Sequence, residues 1–139
     1  MLKLAYNPVS VLSVYAFGGL VGAVAPSNRR GMYVFEYDPT WLRRGIELAP
    51  ALMPTKDRRR NWLFPSLPEL TFHGLPPMLA DSLPDRFGNS IINAALAREG
   101  VAPEQVNALD RLAYLGSRGM GALTFVPATG SHLLASIDS

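Results

Sequence analysis

The chain reads as an α+β domain: a small antiparallel sheet, built from an N-terminal meander and a C-terminal strand, with helices packed on one side and a long proline-rich excursion. Three features predict this. β-branched and aromatic residues recur in short runs with turn residues between them up to Tyr37. Capped segments with helical spacing of apolar residues fill positions 82–116. Between the two, Pro50, Pro54, Pro65, Pro68, Pro76 and Pro77 block regular helix and central strand alike.

Val11-Leu12-Ser13-Val14-Tyr15 and Leu20 to Ala25 form the arms of a hairpin, with Gly18-Gly19 as the turn that tolerates positive φ. Pro26 to Gly31 has turn chemistry, and Met32 to Tyr37 alternates as a third strand. Asp38 before Pro39 suits an N-cap followed by proline at the first helical position, so Pro39 to Arg43 is a short helix anchored by Trp41 and Leu42. From about Ile46 to Pro77 the chain makes its excursion. Trp62, Leu63, Phe64, Leu67, Leu70, Phe72 and Leu75 are too apolar for a solvated coil, so part of this stretch packs on the sheet or on a partner. Ser82 and Asp85 read as a capping box before a helix whose apolar positions are Phe87, Ile91, Ala95 and Ile92, Leu96, ended by Gly100. Pro103 opens a second helix with Val106, Leu109, Leu112 and Ala113 on one face, Gly116 closes it, and Ala122 to Val126 is the last strand. The domain is expected over residues 1–128, with a polar tail at 129–139.

At 139 residues, 48% hydrophobic and 17% charged, the chain is a single globular domain. It has no cysteine, which excludes disulfides, thiolate metal sites and a cysteine nucleophile and fits a reducing, cytoplasmic setting. The apolar run Val9 to Ala25 ends in Ala23-Val24-Ala25, as a signal peptide does. Only Lys3 precedes it, however, and Gly18-Gly19 breaks it, so strands are the better reading and no membrane span is expected.

Candidate chemistry is sparse. His73 and His132 are far apart and lack neighbours at metal-ligand spacing. Asp81 and Asp85 could suggest a carboxylate pair, but Asp85 is explained as a helix-start residue. Gly116-Ser117-Arg118-Gly119-Met120-Gly121 resembles a phosphate loop but leads from helix into strand, the reverse of what phosphate binding at a helix N-terminus requires. No Walker lysine, nucleophile elbow or kinase element occurs, so no catalytic residue, cofactor or metal is expected. The net charge is only +2, yet eight of the thirteen basic residues lie between positions 29 and 60. The run Lys56-Asp57-Arg58-Arg59-Arg60 beside Trp62 and Phe64 is the strongest surface signal. Arginine and tryptophan are enriched at interface hot spots, which makes Arg58, Arg59, Arg60, Trp62 and Phe64 the candidate partner-binding residues. The alternatives for Trp62 are a lid over the sheet and, for Arg58 to Arg60, a solvated face or direct nucleic-acid contact. The low net charge and the lack of a recognition motif weigh against nucleic acid.

Several stretches, taken in order, resemble one family. They are Val11 to Tyr15 with Leu20-Val21-Gly22, Phe35-Glu36-Tyr37-Asp38-Pro39-Thr40-Trp41-Leu42, Phe72-His73-Gly74-Leu75-Pro76-Pro77 with Ala80 to Gly88, and Leu115-Gly116-Ser117-Arg118-Gly119-Met120-Gly121-Ala122-Leu123. Together, over roughly residues 9 to 128, they resemble the N-terminal subdomain of HipA-type toxins. In that family the subdomain precedes a serine/threonine kinase core that phosphorylates aminoacyl-tRNA synthetases, and the toxin assembles with the helix-turn-helix antitoxin HipB on operator DNA. The stretches quoted contain none of that core's nucleotide or magnesium ligands. The resemblance therefore implies a non-catalytic binding subunit similar to HipS, the small antitoxin of split HipBST systems. Such a subunit docks on a HipA/HipT-type kinase and blocks it sterically, with a HipB-like protein as a possible third member. The alternative it implies is the N-terminal part of a longer toxin.

Overall fold

In the computed structural model, residues 10–57, 59, 61–68, 72–83, 86–102, 105–117 and 121–128 are described. Four strands, β1 (Leu12–Ala16), β2 (Gly19–Pro26), β3 (Tyr33–Tyr37) and β4 (Thr124–Pro127), form one antiparallel sheet in the order β3-β2-β1-β4. The first and last parts of the domain thus meet at β1, as the α+β reading expects.

Period-two alternation sets the faces. Leu12, Val14 and Ala16 of β1 and Tyr33, Phe35 and Tyr37 of β3 point into the core. Strand β2 breaks the alternation with two consecutive buried residues, Val21 and Gly22. Its pairing steps from Val14↔Gly22 to Tyr15↔Leu20, and this bulge leaves Val21 as an extra inward residue and turns Leu20 outward beside Tyr15. Gly22 has no room for a side chain: a Cβ there would run into the Glu36 carbonyl oxygen and come within 2.7 Å of the Phe35 ring.

The hairpin turn falls one residue earlier than expected. Phe17 (φ 50°) and Gly18 (φ 75°) are its central residues, and Gly19 already pairs with Ala16. Gly19 is needed for another reason, since a Cβ there would meet the Arg44 guanidinium and lie 3.4 Å from Trp41.

Helix α1 (Pro39–Arg44) begins as anticipated: the Asp38 carboxylate accepts from the Thr40 N–H at 3.0 Å, Pro39 follows the cap, and Gly45 (φ 68°) ends the helix. Helices α2 (Pro77–Ala80), α3 (Arg86–Ala97) and α4 (Ala108–Leu115) complete the described set. Trp41, Met78, Leu79, Leu109 and Leu112 join the inward face of the sheet in one core. Helix α3 forms a second layer: Ile92 and Leu96 cluster with Val101 against Val106, Tyr114 and Leu115, and Leu115 also packs on the main core.

Helix α3 ends at a Schellman motif, in which the Val101 N–H donates to the Leu96 carbonyl and Gly100 (φ 84°) to Ala97, both at 3.0 Å. The accompanying apolar contact is Val101 with Leu96. Of the apolar positions assigned to this helix, Ile91 is 53% exposed, because the helix packs on α4 along the narrower Ile92–Leu96 stripe. The expected box involves Asp85, which lies outside the described residues. Helix α4 starts later than the Pro103 position suggests. Asn107 caps it, accepting from the Asp110 N–H at 2.7 Å while the Asp110 carboxylate accepts from the Asn107 N–H at 3.0 Å. Two helix-end donors are satisfied there at once, and Pro103 itself lies outside the described residues. Strand β4 begins at Thr124 rather than Ala122, and Leu123 is buried in the core before it. Among the described residues no helix is long and apolar enough to cross a membrane.

Candidate functional site

The excursion after α1 wraps the outer edge of β3 and is held by side chains of the ordered core. The Trp41 indole N–H donates to the Ile46 carbonyl at 3.1 Å, and the Tyr37 hydroxyl donates to the Met53 carbonyl at 2.6 Å. Glu47 accepts from the Thr55 N–H and hydroxyl, both at 2.9 Å. Burial, together with the Glu47 charge, pushes the Tyr37 phenol up to about 12. Further along, Trp62 forms an isolated bridge with Phe35, in which each N–H donates to the other's carbonyl, at 2.8 and 3.1 Å. The Tyr33 N–H then donates to the Gly74 carbonyl at 2.9 Å. Gly74 (φ 78°) approaches Gly31 so closely that any Cβ would collide with its carbonyl. The edge amides of Tyr33 and Phe35 are therefore satisfied by a segment with almost no regular structure.

These contacts place the residues singled out in the sequence. Trp62 is 1% exposed, edge-on to Tyr37 at 6.3 Å and stacked with the half-buried Phe64 at 6.3 Å. Its position is that of a lid over the sheet. Arg59 lies on the outside, its guanidinium 4.4 Å above the Trp62 ring and 3.8 Å from the Asp57 carboxylate. The Arg59 N–H also donates to Asp57 at 2.8 Å. Arg58 and Arg60 lie outside the described residues. Of the five candidates, the structure thus brings together Arg59, Trp62 and Phe64 as a cation on an aromatic stack. Among the described residues the Trp62 Nε1 is buried with no hydrogen-bond partner.

The other chemical candidates separate. His73 sits at a positive φ of 57° in the turn before Gly74. His132, Asp85 and Arg118 to Met120 lie outside the described residues. Gly116 (φ 57°) makes a helix-to-strand turn, and its carbonyl accepts from the Phe125 N–H at 3.1 Å. Asp81 borders an open groove of about 240 Å³ with Leu48, Met78 and Leu123, and among the described residues no second carboxylate lines it. No group of three potential metal ligands occurs among the described residues. What the arrangement can do is present a fixed cation and an aromatic edge to another surface.

Sequence reasoning missed the Asn107–Asp110 box, although its N-x-x-D spacing was visible, and the Tyr33 hydroxyl, which accepts from the Ala108 N–H at 3.4 Å. Burial is the first cause of a raised Tyr33 pKa. No sequence signal reveals that bond, because it joins residues far apart in the chain.

A family model described as the HipA N-terminal domain matches residues 12–126, agreeing with the resemblance read from the ordered stretches. No curated protein and no solved structure matches the chain.

Proposed function

Because the chain belongs to the HipA N-terminal domain family, we propose that it docks on a HipA/HipT-type serine/threonine kinase and blocks it sterically, as an antitoxin-like subunit. One observation carries this reading. The described part of the excursion is packed onto the sheet and presents Arg59 and Phe64 on the buried Trp62 ring, so a cationic and aromatic surface exists before any partner arrives.

Contact is made through the outer members of the stack. Inserting the Trp62 ring itself into a kinase cleft would first remove it from the core and break its bridge to Phe35. A domain that forms the N-terminal part of a longer toxin would use the same surface against a kinase core in the same chain. A HipB-like DNA-binding protein is the natural third member of such an assembly.

The test is to titrate the purified chain into a HipT-type kinase and follow autophosphorylation. Activity is expected to fall to background at stoichiometric complex, and Arg59→Ala, which leaves the core intact, is expected to weaken binding by about 3- to 30-fold. Full kinase activity at a saturating concentration of bound chain overturns the antitoxin reading. Direct binding to DNA or RNA that falls steeply with salt would instead favour a nucleic-acid role for the basic run.

A further inference from the structure

We propose that the β1–β2 hairpin tip is a second docking element, in which Phe17, flanked by Arg44, seats in an apolar cup edged with carboxylates on the same partner protein. The inference rests on the docking reading above but uses a different surface.

Phe17 is anomalous in two independent ways. Its φ of 50° is a left-handed conformation that suits asparagine or glycine and is costly for a bulky side chain. Its ring is also 68% exposed, so packing within the domain does not offset that cost. Strain combined with exposure at one residue points to a role outside the domain.

The surroundings extend the patch. Tyr15 and Leu20 are directly opposite each other on β1 and β2 and are each 37% exposed. Val126, 44% exposed, lies on the same face, two pairs along from Thr124, the partner of Tyr15. This outer sheet face carries one charged side chain among the described residues, Glu36.

Across the tip from that apolar face, on the side where Gly19 pairs with the inward Ala16, the surface is cationic. The exposed Arg44 lies beside Gly19, directly after the turn, and its guanidinium is held 4.9 Å over the Trp41 ring. Arg43 is exposed next to it and donates to the Thr40 hydroxyl at 3.2 Å. An apolar knob with fixed cations fits a partner that offers an apolar recess with carboxylates at its rim. A second copy of this chain fits poorly, since tip-to-tip pairing would bring the Arg43–Arg44 pairs of both copies to one interface.

Phe17→Asn supplies the test, because Asn-Gly is the preferred pair for a two-residue turn with both φ values positive. Its melting temperature should equal or exceed that of the wild type, while its affinity for the purified HipT-type kinase should fall at least about 30-fold. Arg44→Gln should weaken binding by about 3- to 10-fold and flatten its salt dependence. Wild type that binds the kinase while Phe17→Asn binds as tightly overturns the tip and leaves the docking reading standing. A Phe17→Asn protein with a clearly lower melting temperature also overturns it, because the ring is then structural. Wild type that does not bind the kinase refutes the docking reading, and with it the partner assigned to the tip. Tip-dependent self-association, or binding to anionic lipid vesicles, in place of kinase binding overturns the choice of partner.

Discussion

Truncating Trp62 to alanine tests whether the excursion belongs to the fold. The side chain is 1% exposed, contacts Tyr37 and Phe64 through its ring, and carries Arg59 on its outer face. Removing a buried aromatic of this size from a core costs about 3 to 5 kcal/mol, and the lost cation–π contact adds about 0.5 to 1 kcal/mol. Against this stands the buried indole N–H without a partner, whose desolvation penalty of about 1 to 3 kcal/mol disappears with the ring. Taking the middle of each range, Trp62→Ala should therefore destabilise by about 3 kcal/mol. Trp62→Phe separates the two effects. It keeps one ring on Tyr37, loses part of the buried area and removes the unpaired donor, so it should stay within about 1 kcal/mol of wild type. Urea unfolding followed by circular dichroism measures both, and Trp41 remains as a fluorescent reporter. Two results refute the reasoning: a Trp62→Ala cost below about 1 kcal/mol, which places the excursion outside the cooperative core, or a Trp62→Phe cost equal to that of Trp62→Ala, which means the donor is not a burden.

Gly22→Ala should destabilise by about 2 kcal/mol or more, read from the same urea curves, because its Cβ meets the Glu36 carbonyl and the Phe35 ring. Asn107→Ala removes the cap of α4 and should cost about 1 kcal/mol, with a matching fall in melting temperature. For Tyr37 the folded pKa, about 12, lies above the ordinary 10, so its contribution is fully present below pH 10 and is lost as the pH rises toward 12. Thermal melts between pH 9 and 12 should show that decline, and Tyr37→Phe should flatten its part of the slope.

Much of the sheet was legible because its signals are local. Leu12, Val14 and Ala16 and then Tyr33, Phe35 and Tyr37 face inward with the period their sequence shows, and Asp38-Pro39 starts α1 where that pair of residues says it should. The errors occur where one residue type serves two purposes. Gly18-Gly19 looked like the turn, but Gly19 already pairs with Ala16 as the start of β2 and leaves Arg44 and Trp41 room, while the turn falls on Phe17 and Gly18. The second helix was expected to open at Pro103, which lies outside the described residues; the described α4 begins at Ala108, where Asn107 and Asp110 satisfy two of its end donors.

The candidate site was legible only as composition. The arginine and aromatic residues marked the place, but nothing local distinguishes an exposed tryptophan from one bridged to Phe35. The described parts of the excursion are held by contacts such as Tyr37 to Met53 and Tyr33 to Gly74, and long-range contacts leave no period in the sequence.

The bridge of Trp62 to Phe35 and the bond from Tyr33 to Gly74 have one more consequence. With those backbone groups already taken, a foreign strand cannot be added to the sheet at Tyr33 and Phe35 without displacing the chain's own covering. Recognition on that flank has to read side chains, and side chains can be exchanged between paralogues without disturbing the scaffold. Under the docking reading proposed above, a few substitutions on the excursion's surface would change partner choice and leave the scaffold as it is.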